Sequence, residues 1–372
     1  MKIGIDVTWL KPSKSGGVES YFRNLLDGFL ELKDDNTYYL LLSRDNEESF
    51  RHYKSDSRIQ CVVCDTNAND VIHHLIWQNL HQWKEFKKLG VDICFFPVYE
   101  MPVFKNRKLK CVTTIHDIQA YHYPEYFPKL ENIWYRFGWY MTVKNSDLVI
   151  GISDFTKNDL EDHFPKAKNI ISIHNPIVLN DNVPVDFSEV EKEYNIKKNE
   201  YYYTVCSMHK HKNLISLVNM IEELKKQDCD IPKKLVISGV SGPNKENFIN
   251  MIKDKGLEEN IILTKFVSNE VRNCLIKNCN VFLFPSLFEG FGMPPVEAMM
   301  LGARVISTKK TSLYEVTNNK CAYVEDPLDV QEWIEQIKKV QSVEPQKISF
   351  NQYSKEVIAR QYLDTFYKVA GK

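Results

Sequence analysis

The amino-acid sequence predicts an α/β protein of two domains, each a parallel sheet covered by helices. Three observations carry this expectation. Apolar strand-like runs alternate with amphipathic helical segments, the pattern that winds a parallel sheet. The alternation occurs twice, on either side of a polar stretch at 178–199 that contains Pro184 and reads as a linker. A chain of 372 residues is also long enough for two separate cores. The first domain is therefore expected at 1–177 and the second at 200–353.

In the first domain, residues 2–9 read as a buried strand. Ser15-Gly16-Gly17 turns from it into a helix whose Val18, Phe22, Leu25, Leu26 and Phe29 fit the helical period. A glycine pair there serves either a tight turn or the close approach of a ligand to the backbone. Strand-like runs follow at 37–43, 59–64, 91–96 and 110–115, with one helix over 71–89. The run 110–115 ends at His116-Asp117, which is placed either to enter a ligand crevice or to close a loop by hydrogen bonding. The aromatic segment 130–145 reads mainly as helical core; an exposed share of it would suit a membrane or an acceptor. A further strand at 147–152 leads to Ser153, a good N-cap for a helix over 154–163.

In the second domain a strand at 201–205 leads through Ser207, His209, Lys210 and Lys212 into a helix with Leu214, Leu217, Val218 and Ile221 on one face. Strands at 234–238 and 261–264 flank a helix at 244–256. The apolar run Val281–Phe284 ends at Pro285 and is followed by Glu289-Gly290-Phe291-Gly292-Met293-Pro294-Pro295-Val296-Glu297. The glycines free the backbone to turn, and both prolines suit the first turn of a helix. Strand, glycine loop and helix start make an arrangement suited to phosphate. Helices at 328–341 and 354–370 end the chain.

Bulk properties narrow the function classes. A formal net charge of −1 with 26% charged residues argues against non-specific nucleic-acid binding. Nine scattered cysteines do not form a disulfide framework, so a reducing cytoplasm is expected. The N-terminus shows no signal-peptide pattern, and no run reaches the roughly 18 apolar residues of a membrane span. Asp228-Cys229-Asp230 spells a metal-binding D-x-D, but its position at a polar helix end argues against a site. Cys61 and Cys64 have zinc-like spacing without a second ligand pair. His73, His74 and His81 lie on a polar helix and are expected at the surface.

Glu289 and Glu297, with seven residues between them in this glycine- and proline-bearing context, resemble the E-x7-E signature of the retaining GT-B glycosyltransferases of family 4, also called group 1. The resemblance implies two Rossmann-like domains facing a central cleft, with the last helix (354–372) packed back on the first, acceptor-side domain. It implies transfer of a sugar from a GDP- or UDP-sugar to a glycan or lipid-linked acceptor in cell-surface polysaccharide synthesis, such as lipopolysaccharide. No metal and no cofactor are implied. By the same resemblance Lys212 contacts the donor pyrophosphate, with His209 or Lys210 as a second cation where related enzymes often have an arginine near Ser207. Glu289 holds sugar hydroxyls and Glu297 the ribose. The Gly290–Met293 amides, with Gly16 and Gly17, flank the phosphates, and Val267 reads the base. His116 and its neighbour Asp117 face the transferred sugar. Thr311–Val316 matches a further family segment, with Tyr314 replacing proline. The family is thought to use front-face attack, with the leaving phosphate taking the acceptor proton. A peripheral contact with the inner membrane leaflet is expected from aromatic and basic surface. Two other readings use the same residues: a non-catalytic nucleotide-sugar-binding partner of a transferase, and an epimerase of this fold.

Overall fold

The computed structural model describes residues 1–12, 14–179, 184–227, 231–242 and 244–372. Asp228-Cys229-Asp230 lies outside the described residues. The chain divides into two compact units, Met1–Val178 with Asn351–Lys372, and Leu179–Phe350.

The first unit holds seven parallel strands: β1 Lys2–Asp6, β2 Thr37–Leu42, β3 Ile59–Val63, β4 Ile93–Phe96, β5 Cys111–Ile115, β6 Leu148–Gly151 and β7 Ile170–Ser172. Their order is β3-β2-β1-β4-β5-β6-β7. Central strands read as continuous apolar runs because helices cover both faces; Ile93–Phe96 is wholly buried. Helix Gly16–Glu31 and helix Lys355–Ala370 pack on one another in this unit. Gly28 permits that contact, since a Cβ there would lie 2.4 Å from the Lys355 carbonyl oxygen. Phe29, Phe95, Tyr362 and Phe366 join one core.

The second unit has six parallel strands: β8 Tyr202–Val205, β9 Leu235–Ser238, β10 Ile261–Leu263, β11 Val281–Phe284, β12 Val305–Thr308 and β13 Ala322–Val324, in the order β10-β9-β8-β11-β12-β13. Its core packs Leu217, Ile221, Leu283, Ile306 and the buried Trp333.

Three features differ from the sequence reading. The stretch 178–199 contains a helix, Phe187–Tyr194, capped by Asp186 through the Ser188 N–H at 2.9 Å. The segment 71–89 forms two helices, Val71–Leu80 and Gln82–Leu89, broken at His81. On the first of these His74 is buried rather than at the surface, with Nδ1 3.3 Å from Thr66 Oγ1. No helix among the described residues is long and apolar enough to cross a membrane.

Candidate active site

In the second unit β8 and β11 are neighbours, and the chain leaves them in opposite directions along the sheet. Such a reversal opens a crevice beyond the strand ends. The loop after β8 passes through a tight turn at Lys210–Lys212 to the left-handed Asn213 (φ 51°), which starts helix Leu214–Lys226. The loop after β11 leads to helix Met293–Leu301. The two loops are tied together where the Leu287 N–H donates to the His211 carbonyl at 2.7 Å.

This tie sets Lys212 Nζ 2.7 Å from Glu289 Oε1, with side chains only 17% and 12% exposed. A cation at a helix N-terminus opposes the macrodipole, and Glu289 offsets that cost. Glu289 is itself held by its backbone: its N–H donates to Thr311 Oγ1 at 3.0 Å, and the buried Ser312 hydroxyl reaches the Glu289 and Phe291 carbonyls, each at 2.9 Å. Gly292 caps the following helix at φ +90°, and a Cβ there would lie 2.4 Å from Leu313 Cδ2. The backbone conformation alone would strain any other residue there. Pro294 and Pro295 occupy the first turn and carry no N–H, so the helix start offers an anion fewer amides than an ordinary one. Those of Gly292 and Met293 remain.

Glu297, one turn further, is buried and pairs with Arg272 through a 3.4 Å contact from Nη1 to Oε2. Arg272 lies on helix Asn269–Asn278, which Ser268 caps just after Val267. Val267 is half-buried beyond β10, two strands from β8, beside an exposed Phe266. Ser207 is half-buried at the start of the β8 loop. The His209 and His211 rings stack at 5.6 Å. Burial and the Lys212 charge depress both imidazoles, His211 to about 3, so at neutral pH neither adds a positive charge. Lys210, exposed on the same turn, is the further cation of this loop.

In the first unit His116 leaves β5, and its Nε2 lies 2.9 Å from the Pro97 carbonyl oxygen. Because a carbonyl only accepts, a neutral His116 carries its proton on Nε2, leaving Nδ1 as an acceptor. Burial holds it neutral by lowering its pKa to about 4. Gly16 opens helix Gly16–Glu31 at φ +55°, and Gly17 lies in its first turn. Tyr21 on that helix packs edge-on against the His116 ring at 4.8 Å. Asp117 caps the next turn, accepting from the Gln119 N–H at 3.0 Å.

A pH dependence follows from the depressed imidazoles of His116 and His211. Unfolded histidine binds a proton near pH 6.5 and these folded ones only near 4 and 3, so the unfolded state holds more protons in between. Stability should therefore rise with pH across that window, by at most about 1.4 kcal/mol per pH unit for each histidine. Urea denaturation at pH 4.5 and pH 6.5 measures it; a His116→Asn, His211→Asn variant should flatten the slope, and an unchanged slope would place its origin elsewhere.

Reading the sequence alone missed Arg272, Ser312 and Thr311. The last two fall in the segment that matches the family after β12, which was the available clue; Arg272 had none.

Comparison with known proteins places this geometry in a family. The sequence profile described as Glycosyltransferase Family 4 matches residues 15–181, and that described as Glycosyl transferases group 1 matches residues 186–357. The chain is 26% identical to O-antigen chain mannosyltransferase RfbU of Salmonella typhimurium over 315 residues, covering 83% of this chain and 82% of that protein. It is 27% identical to O-antigen chain mannosyltransferase B of Escherichia coli over 63% of this chain and 62% of that one. Among solved structures it is similar to a glycosyltransferase from Rickettsia africae (TM-score 0.69, 16% identity, 99% of this chain and 98% of that one). It is also similar to Anabaena Alr3699/HepE in complex with UDP (TM-score 0.66, 16% identity, 99% of each chain). The two parallel-sheet units are those of the GT-B fold, and the chain belongs to the group 1, or family 4, glycosyltransferases.

Proposed function

We propose that the chain transfers a hexose, with mannose the leading candidate, from a GDP- or UDP-sugar to a glycan acceptor in cell-surface polysaccharide synthesis, with retention of anomeric configuration. The observation that carries the donor assignment is the Lys212–Glu289 pair at the strand-order reversal, beside the start of helix Met293–Leu301. The names of the two mannosyltransferase relatives support the sugar, and the UDP-bound neighbour supports the donor class. The barrier lies in departure of the nucleoside diphosphate as positive charge grows at the anomeric carbon. Lys212 and the Gly292 and Met293 amides would hold that departing charge, a preorganised electrostatic role that needs no metal. Glu289 would hold sugar hydroxyls, Glu297 the ribose, and His116 Nδ1 would accept from a hydroxyl of the transferred sugar.

A lipid-linked acceptor and a contact with an anionic leaflet are part of the proposal. Helix Val71–Leu80 turns Ile72, Ile76 and Leu80 to solvent, and helix Lys129–Asn145 does the same with Leu130, Ile133 and Trp134. The loop carrying the exposed Phe104 lies between them: the Val103 N–H donates to Asn79 Oδ1 at 2.9 Å, and Asn145 Nδ2 donates to the Val103 carbonyl at 2.7 Å. Lys84 and Lys87 on the following helix and Lys108 in the Phe104 loop are exposed, and such cations suit an anionic lipid surface.

One set of measurements tests the proposal. A selective thermal shift with GDP, UDP or their sugars, an α-linked product by NMR from an α-linked donor, and sedimentation with anionic liposomes at low salt are expected. An inverted product would remove the retaining assignment, and protein left in the supernatant would remove the membrane contact.

A further inference from the structure

Helix Val71–Leu80 exposes apolar Ile72, Ile76 and Leu80 and buries two polar side chains, His74 and Gln78, beside its core-packed Trp77. Gln82 at the start of the next helix extends the inward row at the same four-residue interval. A helix that turns polar groups inward needs polar partners for them there.

Of these, His74 and Gln82 face Asp6 at the carboxyl end of β1, where the strand order of the first unit reverses between β1 and β4. Asp6 Oδ1 is satisfied by the Thr8 N–H and hydroxyl at 3.1 and 2.7 Å. The Gln82 side chain lies close enough to Asp6 to favour its carboxylate, yet Asp6 Oδ2, His74 Nε2, Gln78 Nε2 and both amide atoms of Gln82 have no partner in full hydrogen-bonding geometry among the described residues. Asp6 and Gln82 are 0% exposed, Gln78 4% and His74 7%. Leaving a buried polar group unpaired is costly, so such a concentration is retained where a ligand or water uses it. The way out is marked by Glu100, whose Oε2 lies 4.0 Å from His74 Nε2 and whose side chain is 44% exposed.

We propose that this nest receives hydroxyl groups of the acceptor carbohydrate, reached past Glu100. The proposal rests on the reading of the chain as a glycosyltransferase and adds the acceptor's chemistry to it. A carboxylate accepts from hydroxyls, a primary amide both donates and accepts, and an imidazole does either, which together match a sugar diol. Asp6 and Glu100 are both carboxyls, and burial raises the pKa of each, Glu100 to about 7, so a neutral sugar fits better there than a uronic acid or sugar phosphate.

Saturation-transfer NMR on the full chain tests this, with methyl α-D-mannopyranoside and its uronate counterpart as probes and the nucleoside diphosphate present to fill the donor site. Signal is expected for the neutral glycoside and not for the uronate. Gln82→Met and Gln78→Met keep the side-chain length and remove the polar atoms. Each should weaken glycoside binding about tenfold, leave the nucleotide-induced thermal shift unchanged, and hold or raise Tm. Binding that survives both substitutions, or a fall in Tm with binding intact, would show a purely structural polar cluster and overturn the proposal. Absent glycoside signal alongside a normal nucleotide shift would overturn it too. Loss of the nucleotide shift in the unsubstituted chain would instead defeat the donor-site reading.

Discussion

Lys212→Ala should lower kcat/KM about 100- to 1,000-fold while leaving the fold intact, the range seen when one preorganised donor to a developing negative charge is lost. Lys212 is held by Glu289 at 2.7 Å and sits where the dipole of helix Leu214–Lys226 disfavours a cation. An anionic ligand is what such a placement serves. Glu289 and that ligand then compete for the same ammonium group. Glu289→Gln should therefore bind nucleoside diphosphate more tightly than the unsubstituted chain and yet transfer sugar more slowly, because the carboxylate proposed to hold sugar hydroxyls is gone. Steady-state kinetics with titration of the bare diphosphate separates the two effects. If Lys212→Ala keeps transfer within about threefold, the charge-stabilising role belongs to another group.

Arg272→Met should cost about 2–3 kcal/mol of stability and most of the nucleotide affinity, although Arg272 belongs to none of the motifs. Its Nη1 lies 3.4 Å from Glu297 Oε2, and the two side chains are 20% and 11% exposed. Removing the cation leaves the carboxylate partly buried without a counter-charge, which costs more than the pair contributes. Replacing both, in Arg272→Met with Glu297→Leu, should restore most of the stability but not the nucleotide binding, since the carboxylate proposed to hold the ribose is then absent. Urea denaturation and nucleotide titration on the same preparations read the two quantities. Unchanged stability and affinity in the single variant would make the ion pair incidental.

What could be read from the sequence followed the range of each interaction. Gly292, Pro294 and Glu297 lie within six residues, so backbone rules alone place them at a loop and a helix start. Lys212 and Glu289 come from distant segments, but each carries a local pattern that the family resemblance recognises. Arg272 meets Glu297 only through the packing of helix Asn269–Asn278 on helix Met293–Leu301, and an arginine on a polar helix carries no mark of such a partner. His74 was misplaced for a more general reason. Periodicity assigns polar residues to solvent, and helix Val71–Leu80 departs from that rule by burying His74 and Gln78 beside Trp77 while Ile72, Ile76 and Leu80 stay exposed. The break at His81 has no glycine or proline to announce it.

Helix Lys355–Ala370 supplies Ile358, Tyr362 and Phe366 to the core of the first unit, where the Tyr362 and Tyr21 hydroxyls lie 2.8 Å apart. These residues leave the ribosome only after all of Leu179–Phe350 has been made. During synthesis, then, the second unit can fold while the first still exposes the apolar groove meant for that helix. The nascent first unit is the part of this chain that a chaperone would hold longest.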